Sequence, residues 1–333
     1  MAASDFDVIG IGNAIVDVLA KSDEAFLAQH KLAKGAMTLI DAPTAGKLYA
    51  AMAPAIECSG GSVANTMAGI ASLGGRGAFI GKVCADQLGS VFNHDIKAAG
   101  VSFATTPAKG GPPTARCLIF VTPDGQRTMQ TYLGACIELK PDDVHMEQIQ
   151  GARITYLEGY LWDPPEAKEA FRKAVKIAHA AGRKVALSLS DPFCVGRHRA
   201  EFLDLVEKDV DILFANEAEI TSLYQTENFD TAVQRLRQKK DRIAALTRSE
   251  KGAVIVSGDQ THAVNAEKVA HVIDTTGAGD LFAAGFLFGL THGHNLASAG
   301  RIGVICAAEI ISHFGARPEV SLKDLVKSRM GHA

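Results

Sequence analysis

From Arg153 onward the chain alternates strand-like and helix-like segments at a pace that few architectures tolerate. Residues 154–157 read as a strand, 165–181 as a helix, 184–189 as a strand and 199–207 as a helix. A strand at 212–214, helices at 217–224 and 231–238 and a strand at 242–246 continue the rhythm. Strands separated by helices pair in parallel and carry those helices on both faces, which is an α/β fold. The short apolar run Phe6-Asp7-Val8-Ile9-Gly10-Ile11-Gly12 has the look of a strand buried on both sides.

Other segments fit around that sheet. A helix over 61–73 carries Ala64, Ala68, Gly69 and Ala71, small enough for close packing; 78–81 is strand-like and 86–99 helical. Residues 115–121 and 127–133 flank Thr122-Pro123-Asp124-Gly125-Gln126, a hairpin signal. A second hairpin turns at Asp259-Gln260 between 253–257 and 262–264, and two apolar helices follow at about 281–291 and 296–314. A chain of 333 residues without a long linker or internal repeat reads as one large domain. Its early strands, about 13–20, 35–40 and 115–133, are expected to form a small sheet outside the main one.

Composition excludes several functions. A net charge of −3 gives no electrostatic case for nucleic acid or an acidic membrane, and the basic run Arg235-Leu236-Arg237-Gln238-Lys239-Lys240 fits a helix end. Six cysteines without C-x-x-C spacing read as reduced thiols. No histidines have metal-ligand spacing; His292 and His294 sit in a glycine-containing loop. Residues 1–5 show no leader pattern and no apolar run reaches membrane-spanning length, so a cytoplasmic protein is expected. There is no P-loop sequence and no protein-kinase H-R-D or D-F-G set.

The chemistry concentrates in Asp274-Thr275-Thr276-Gly277-Ala278-Gly279-Asp280, followed at once by the apolar run Leu281-Phe282-Ala283-Ala284. That order predicts a tight turn opening a buried helix. Gly277 and Gly279 let bare N–H groups approach an anion at the positive end of the helix dipole. Asp280 falls in the first turn, beside the same point. Amides that stabilise charge and a carboxylate that takes a proton suit phosphoryl transfer to a hydroxyl.

Four more stretches point to ligands. Gly60-Gly61-Ser62-Val63-Ala64-Asn65 sets a diglycine before a helix, with Asn65 about one turn in. Gly10-Ile11-Gly12-Asn13-Ala14-Ile15-Val16-Asp17 lacks the third glycine of a dinucleotide fingerprint and reads instead as strand, with Asp17 placed to bind a vicinal diol. Asn216-Glu217-Ala218-Glu219 follows a strand, so Asn216 and Glu219 suit the water shell of Mg²⁺ and equally a capping box, two compatible readings. Thr247-Arg248-Ser249-Glu250-Lys251-Gly252 is a polar turn at a strand end suited to an adenine or ribose edge.

Together the D-T-T-G-A-G-D run, Gly60-Gly61-Ser62-x-x-Asn65 and Asn216-Glu217-Ala218-Glu219 resemble the ribokinase-like (PfkB) family of carbohydrate and nucleoside kinases, in order and over essentially the whole chain. The resemblance implies a three-layer α/β/α domain with a central, mostly parallel sheet and a small β lid. It implies ATP and Mg²⁺, with Asp280 as catalytic base and Gly277, Ala278 and Gly279 as anion hole. Asn216 and Glu219 would organise Mg²⁺ through water, and Asn216, Thr247, Ser249 and Gly252 would line the nucleotide site. Within the family the chain is most similar to the adenosine-phosphorylating branch. By that likeness Asn13, Asp17, Gly61, Ser62 and Asn65 grip a ribose. Arg127 sits over the transferring phosphate and Met129 on the base, with Tyr160, Trp162 and Phe193 where aromatics sandwich a purine. Ala36 and Met37 depart from that branch's animal members. The expected reaction is adenosine to AMP at the 5′-hydroxyl. A ribose or fructose kinase is the alternative, a non-catalytic nucleotide sensor a distant one, and an NAD oxidoreductase more distant still. A monovalent cation near Asp274, and monomer or homodimer, stay open.

Overall fold

The computed structural model describes residues 5–331; residues 1–4, read above for a leader, and 332–333 lie outside the described residues. The larger sheet has nine strands. Their order is Gln260–Val264, Ala253–Ser257, Ile243–Thr247, Ile212–Asn216, Lys184–Ser188, Ala152–Glu158, Phe6–Ile11, Gly77–Ile80 and Ser102–Phe103. The seven from Ile243–Thr247 to Ser102–Phe103 are mutually parallel, and Ala253–Ser257 is antiparallel to both of its neighbours. Alternate residues feed two separate cores. Val8, Tyr156, Ala186 and Phe214 face one side, and Ile9, Leu157, Leu187 and Leu213 the other. Burial on both faces is why these strands are apolar without alternation.

Helices Ser62–Ser72, Ala278–Thr291 and Leu296–Ile310 cover the first side. Helices Pro165–Ala180, Pro192–Lys208 and Glu217–Tyr224 cover the second. The helix expected at 199–207 starts earlier, at Pro192, because Asp191 caps it through the Cys194 amide at 2.6 Å. It kinks at His198, where φ is −120° and ψ 25°. Chain order runs outward one way from Phe6–Ile11 and then returns beside it at Ala152–Glu158. The carboxyl ends of these two strands therefore form the crevice where such sheets bind ligands.

A second sheet of five strands has the order Met37–Leu39, Arg127–Tyr132, Ala115–Val121, Ile15–Lys21 and Ile56–Gly60. Its last strand was not anticipated: after Ile56, the residues Glu57, Cys58, Ser59 and Gly60 carry no β signature. One face packs through Val16, Val18, Leu118 and Phe120 against Leu27 and Leu48 of two short helices, Glu24–Gln29 and Ala42–Ala51. The other face carries Asp17. All six cysteines are free, and no helix among the described residues is long and apolar enough to cross a membrane.

Candidate active site

Two helices begin at one point because they pack without spacers. A Cβ on Gly69 of Ser62–Ser72 would strike Ala284 and Leu281 of Ala278–Thr291. The helices lie together there and bring their N-termini side by side. Ser62 Oγ donates to Asp280 Oδ1 at 2.6 Å, and Asn65 Nδ2 to Asp280 Oδ2 at 3.0 Å. Burial raises the Asp280 carboxyl above the ordinary carboxylate range, while those two bonds and the Arg317 charge oppose the rise. Gly277 caps the helix at φ 79°. Among the described residues the amides of Gly277, Gly279 and Asp280 donate to no protein group, and a Cβ on Gly279 would meet open space. Ala278 departs from the expected anion hole: its amide turns back to the Thr275 carbonyl at 3.2 Å.

The carboxylate of Asp17 accepts no hydrogen bond among the described residues. It lies so close to Gly60 that any Cβ there would be driven into it. Burial pushes it up to about 6; the Arg317 and Arg127 charges pull the other way, and Asp280 adds to the rise. Gly61 turns at φ 102°, with no room for a side chain against the Asn13 carbonyl. Asn13 Nδ2 donates to Glu158 Oε1 at 2.8 Å, and the Val63 amide to Glu158 Oε2 at 3.1 Å. Burial holds Glu158 at about 7. The crevice thus gathers Asn13, Asp17, Gly61, Ser62, Asn65 and Asp280 as the sequence suggested.

Three further side chains in it escaped the sequence reading. Glu158 is a polar residue closing an apolar strand, and that signal was readable. Arg317 and Asp95 show none, since only tertiary contact brings them to the Gly60-Gly61 turn.

Arg127 reaches Asp274, the first residue of the anion-turn stretch: Nη1 pairs with Asp274 Oδ2 at 2.7 Å, both side chains are buried, and Nε and Nη2 have no hydrogen-bond partner among the described residues. Asp274 also takes the amides of Thr276 at 3.0 Å and Gly315 at 3.1 Å. Asn216 and Glu219 close a capping box, with Glu219 accepting from the Asn216 amide at 2.9 Å and from Nδ2 at 2.6 Å. Burial lifts Glu219 to about 7. Both Glu219 oxygens accept within the cap, an arrangement compatible with the expected contact to Mg²⁺ through water. Trp162 is core, packed on Phe171 and Phe202 with Nε1 donating to Glu201 at 2.7 Å.

Tyr160 and Phe193 stand at neighbouring strand ends, Phe193 80% exposed. Met129 is half-buried on the Asp17 face of the smaller sheet. Thr247 pairs with Asn216 at the next strand end, and Ser249 (φ 50°) and Gly252 (φ 83°) close the tight loop after it.

A parallel sheet with a free anion turn and a carboxylate at its switch point defines a phosphotransferase with an alcohol group as acceptor. The pfkB family carbohydrate kinase model matches residues 57–322. The chain belongs to that family and has its ribokinase-like α/β fold. The crystal structure of adenosine kinase from Sinorhizobium meliloti is 53% identical, covering 98% of this chain and 100% of its own, with a TM-score of 0.89. That of a probable sugar kinase protein from Rhizobium etli is 51% identical over 98% and 99%, with a TM-score of 0.90. A probable chloroplastic fructokinase-6 of Arabidopsis thaliana is 30% identical over 88% of this chain and 80% of its own.

Proposed function

We propose that the protein transfers the γ-phosphoryl group of ATP to the 5′-hydroxyl of a purine nucleoside, converting adenosine to AMP. The observation that carries this reading is the position of Asp17. On one face of the smaller sheet Cys58, Asp17, Cys117, Thr131 and Leu39 form a cross-strand row. The next row is Ile56, Leu19, Ile119, Met129 and Met37. An unbonded carboxylate suits a ribose diol, and the apolar row beside it suits a base, which a bare sugar lacks. The likeness to the Sinorhizobium adenosine kinase supports the same choice.

In this reading the diol on Asp17, with Asn13 and Asn65 beside it, turns the 5′-hydroxyl toward Asp280. Asp280 takes its proton as the new P–O bond forms and the bond to ADP breaks. The amides of Gly277, Gly279 and Asp280 stabilise charge on the transferring group. Mg²⁺ enters as part of the MgATP substrate, whose nucleotide lies toward Asn216, Thr247, Ser249 and Gly252. The smaller sheet closes over the acceptor as a lid, within one domain spanning the chain, and keeps water from the phosphoryl group.

The likeness to a probable sugar kinase favours a second reading, a sugar acceptor. Product analysis with ATP and adenosine, inosine, ribose or fructose separates the two. Adenosine is expected to yield AMP with the highest kcat/KM. Ribose or fructose turned over as well as adenosine overturns the nucleoside reading.

A further inference from the structure

Two carboxylates that face one crevice oppose each other's ionisation, yet the proposed reaction needs both charged. Asp17 has no hydrogen-bond donor, and Asp280 has only the neutral donors Ser62 and Asn65. The turn between them is held by Arg317, which follows the helix Leu296–Ile310. Arg317 Nε and Nη2 donate to the Ser59 carbonyl at 3.1 and 2.7 Å, and Nη2 also to Ser59 Oγ at 2.8 Å. Nη1 donates to the Ala64 carbonyl at 2.9 Å. From the opposite side Asp95 Oδ2 accepts from the Ser59 amide at 2.7 Å and from its hydroxyl at 2.5 Å. Ser59 is clamped between a cation and an anion. Inside the clamp lie Gly60, pressed against Asp17, Gly61, pressed against Asn13, and Ser62, bonded to Asp280.

We infer that Arg317 is a positioning residue, which fixes this turn and supplies the positive charge that lets Asp17 and Asp280 be ionised together. Every bond of its guanidinium goes to a neutral oxygen, so no carboxylate cancels its charge in direct contact. The groups facing it are Asp17, Asp95, Asp280 and the Cys58 thiol. Asp17 also faces Arg127 and the Cys117 thiol, and Asp280 faces Tyr156, Glu158 and Tyr160. Arg127 is already paired with Asp274, which leaves Arg317 as the cation of the group with no carboxylate in direct contact. Its charge lowers both Asp17 and Asp280 against the burial that raises them.

The inference rests on the proposed phosphotransfer for the role of Asp280, and the test keeps the two apart. Arg317→Gln removes the charge; Arg317→Lys keeps it but cannot span both carbonyls; Ser59→Ala loosens the clamp and leaves the charge. For each, kcat/KM is measured against pH with whichever acceptor the wild type phosphorylates. Aspartate carboxyl carbons are titrated by NMR without acceptor. Arg317→Gln is expected to move the acidic limb and the Asp17 and Asp280 titrations up by about one pH unit or more. Arg317→Lys and Ser59→Ala are expected to lower kcat and leave both where they are. A limb and titrations unmoved in Arg317→Gln, or moved alike in the Lys or Ser59→Ala proteins, overturn the inference. Should the wild type fail to phosphorylate adenosine, the nucleoside reading falls, while the carboxyl titrations still decide the role of Arg317.

Discussion

Asn65 Nδ2 donates to Asp280 Oδ2 at 3.0 Å, so one helix orients a carboxylate that belongs to another. The bond ties the diglycine turn to the anion turn, and it separates chemistry from binding.

Asp280→Asn keeps the shape and removes the proposed base. It is expected to lower kcat by about 10²–10⁴-fold with little change in the KM of either substrate. Asn65→Ala leaves the base but frees it to rotate, for a loss of about tenfold in kcat. Steady-state kinetics check both, and an Asp280→Asn protein with wild-type kcat removes Asp280 from the mechanism.

In the proposed reaction Asp17 links acceptor binding to stability with opposite signs. Burial raises its carboxyl from 3.8 to about 6, so the native state holds a proton that the unfolded chain has already released over that interval. Stability contributed there falls as pH rises from about 4 to about 6 and stays reduced above. Asp17→Asn removes the penalty. It is expected to be more stable than wild type by about 2–3 kcal/mol at about pH 8, and no more stable at about pH 4, by urea unfolding. Catalysis runs the other way. The kcat/KM for the acceptor should fall below about pH 6 as Asp17 takes up its proton, and Asp17→Asn should raise the acceptor KM above about pH 6, with the difference from wild type shrinking below it.

The ion pair between Arg127 and Asp274 joins the smaller sheet to the anion turn, and both partners are buried. Removing one leaves the other charge stranded, so Arg127→Ala is expected to cost about 3–5 kcal/mol. Arg127→Ala with Asp274→Ala should cost less than the two single changes added together. Chemical denaturation of the four proteins completes the cycle, and strict additivity would show that the pair is not coupled.

What the sequence made legible follows from how local each signal is. The alternating segments after Arg153 and the apolar run at Val8 and Ile9 declared the sheet, because burial on two faces leaves its mark in every residue. Gly277, Asp280, Gly61 and Asn65 were readable because a turn opening a helix is written in consecutive residues. The partner of Arg127 was not legible because it lies far along the chain: a hairpin arginine shows its charge but not which carboxylate will claim it. Arg317 was silent for the same reason, its contacts reaching back across 258 and 253 positions to Ser59 and Ala64. Asn216 and Glu219 supported two compatible readings in sequence, and the structure forms the cap because both belong to one helix start.

The aromatic residues give the sharpest test of the acceptor. Trp162 is buried among Phe171 and Phe202, so Trp162→Ala should cost about 3–5 kcal/mol and leave the acceptor KM of the surviving folded protein near that of wild type. Phe193 is 80% exposed and contributes little packing, so Phe193→Ala should leave stability within about 0.5 kcal/mol. If Phe193 stacks on a base, its loss raises the adenosine KM by about 5–150-fold, the equivalent of about 1–3 kcal/mol. The same change should leave turnover of any sugar acceptor untouched, since a sugar ring offers no π face. Equal effects on adenosine and sugar would mean that Phe193 only borders the crevice, and that base recognition rests on the apolar row of Leu19, Ile119 and Met129 instead.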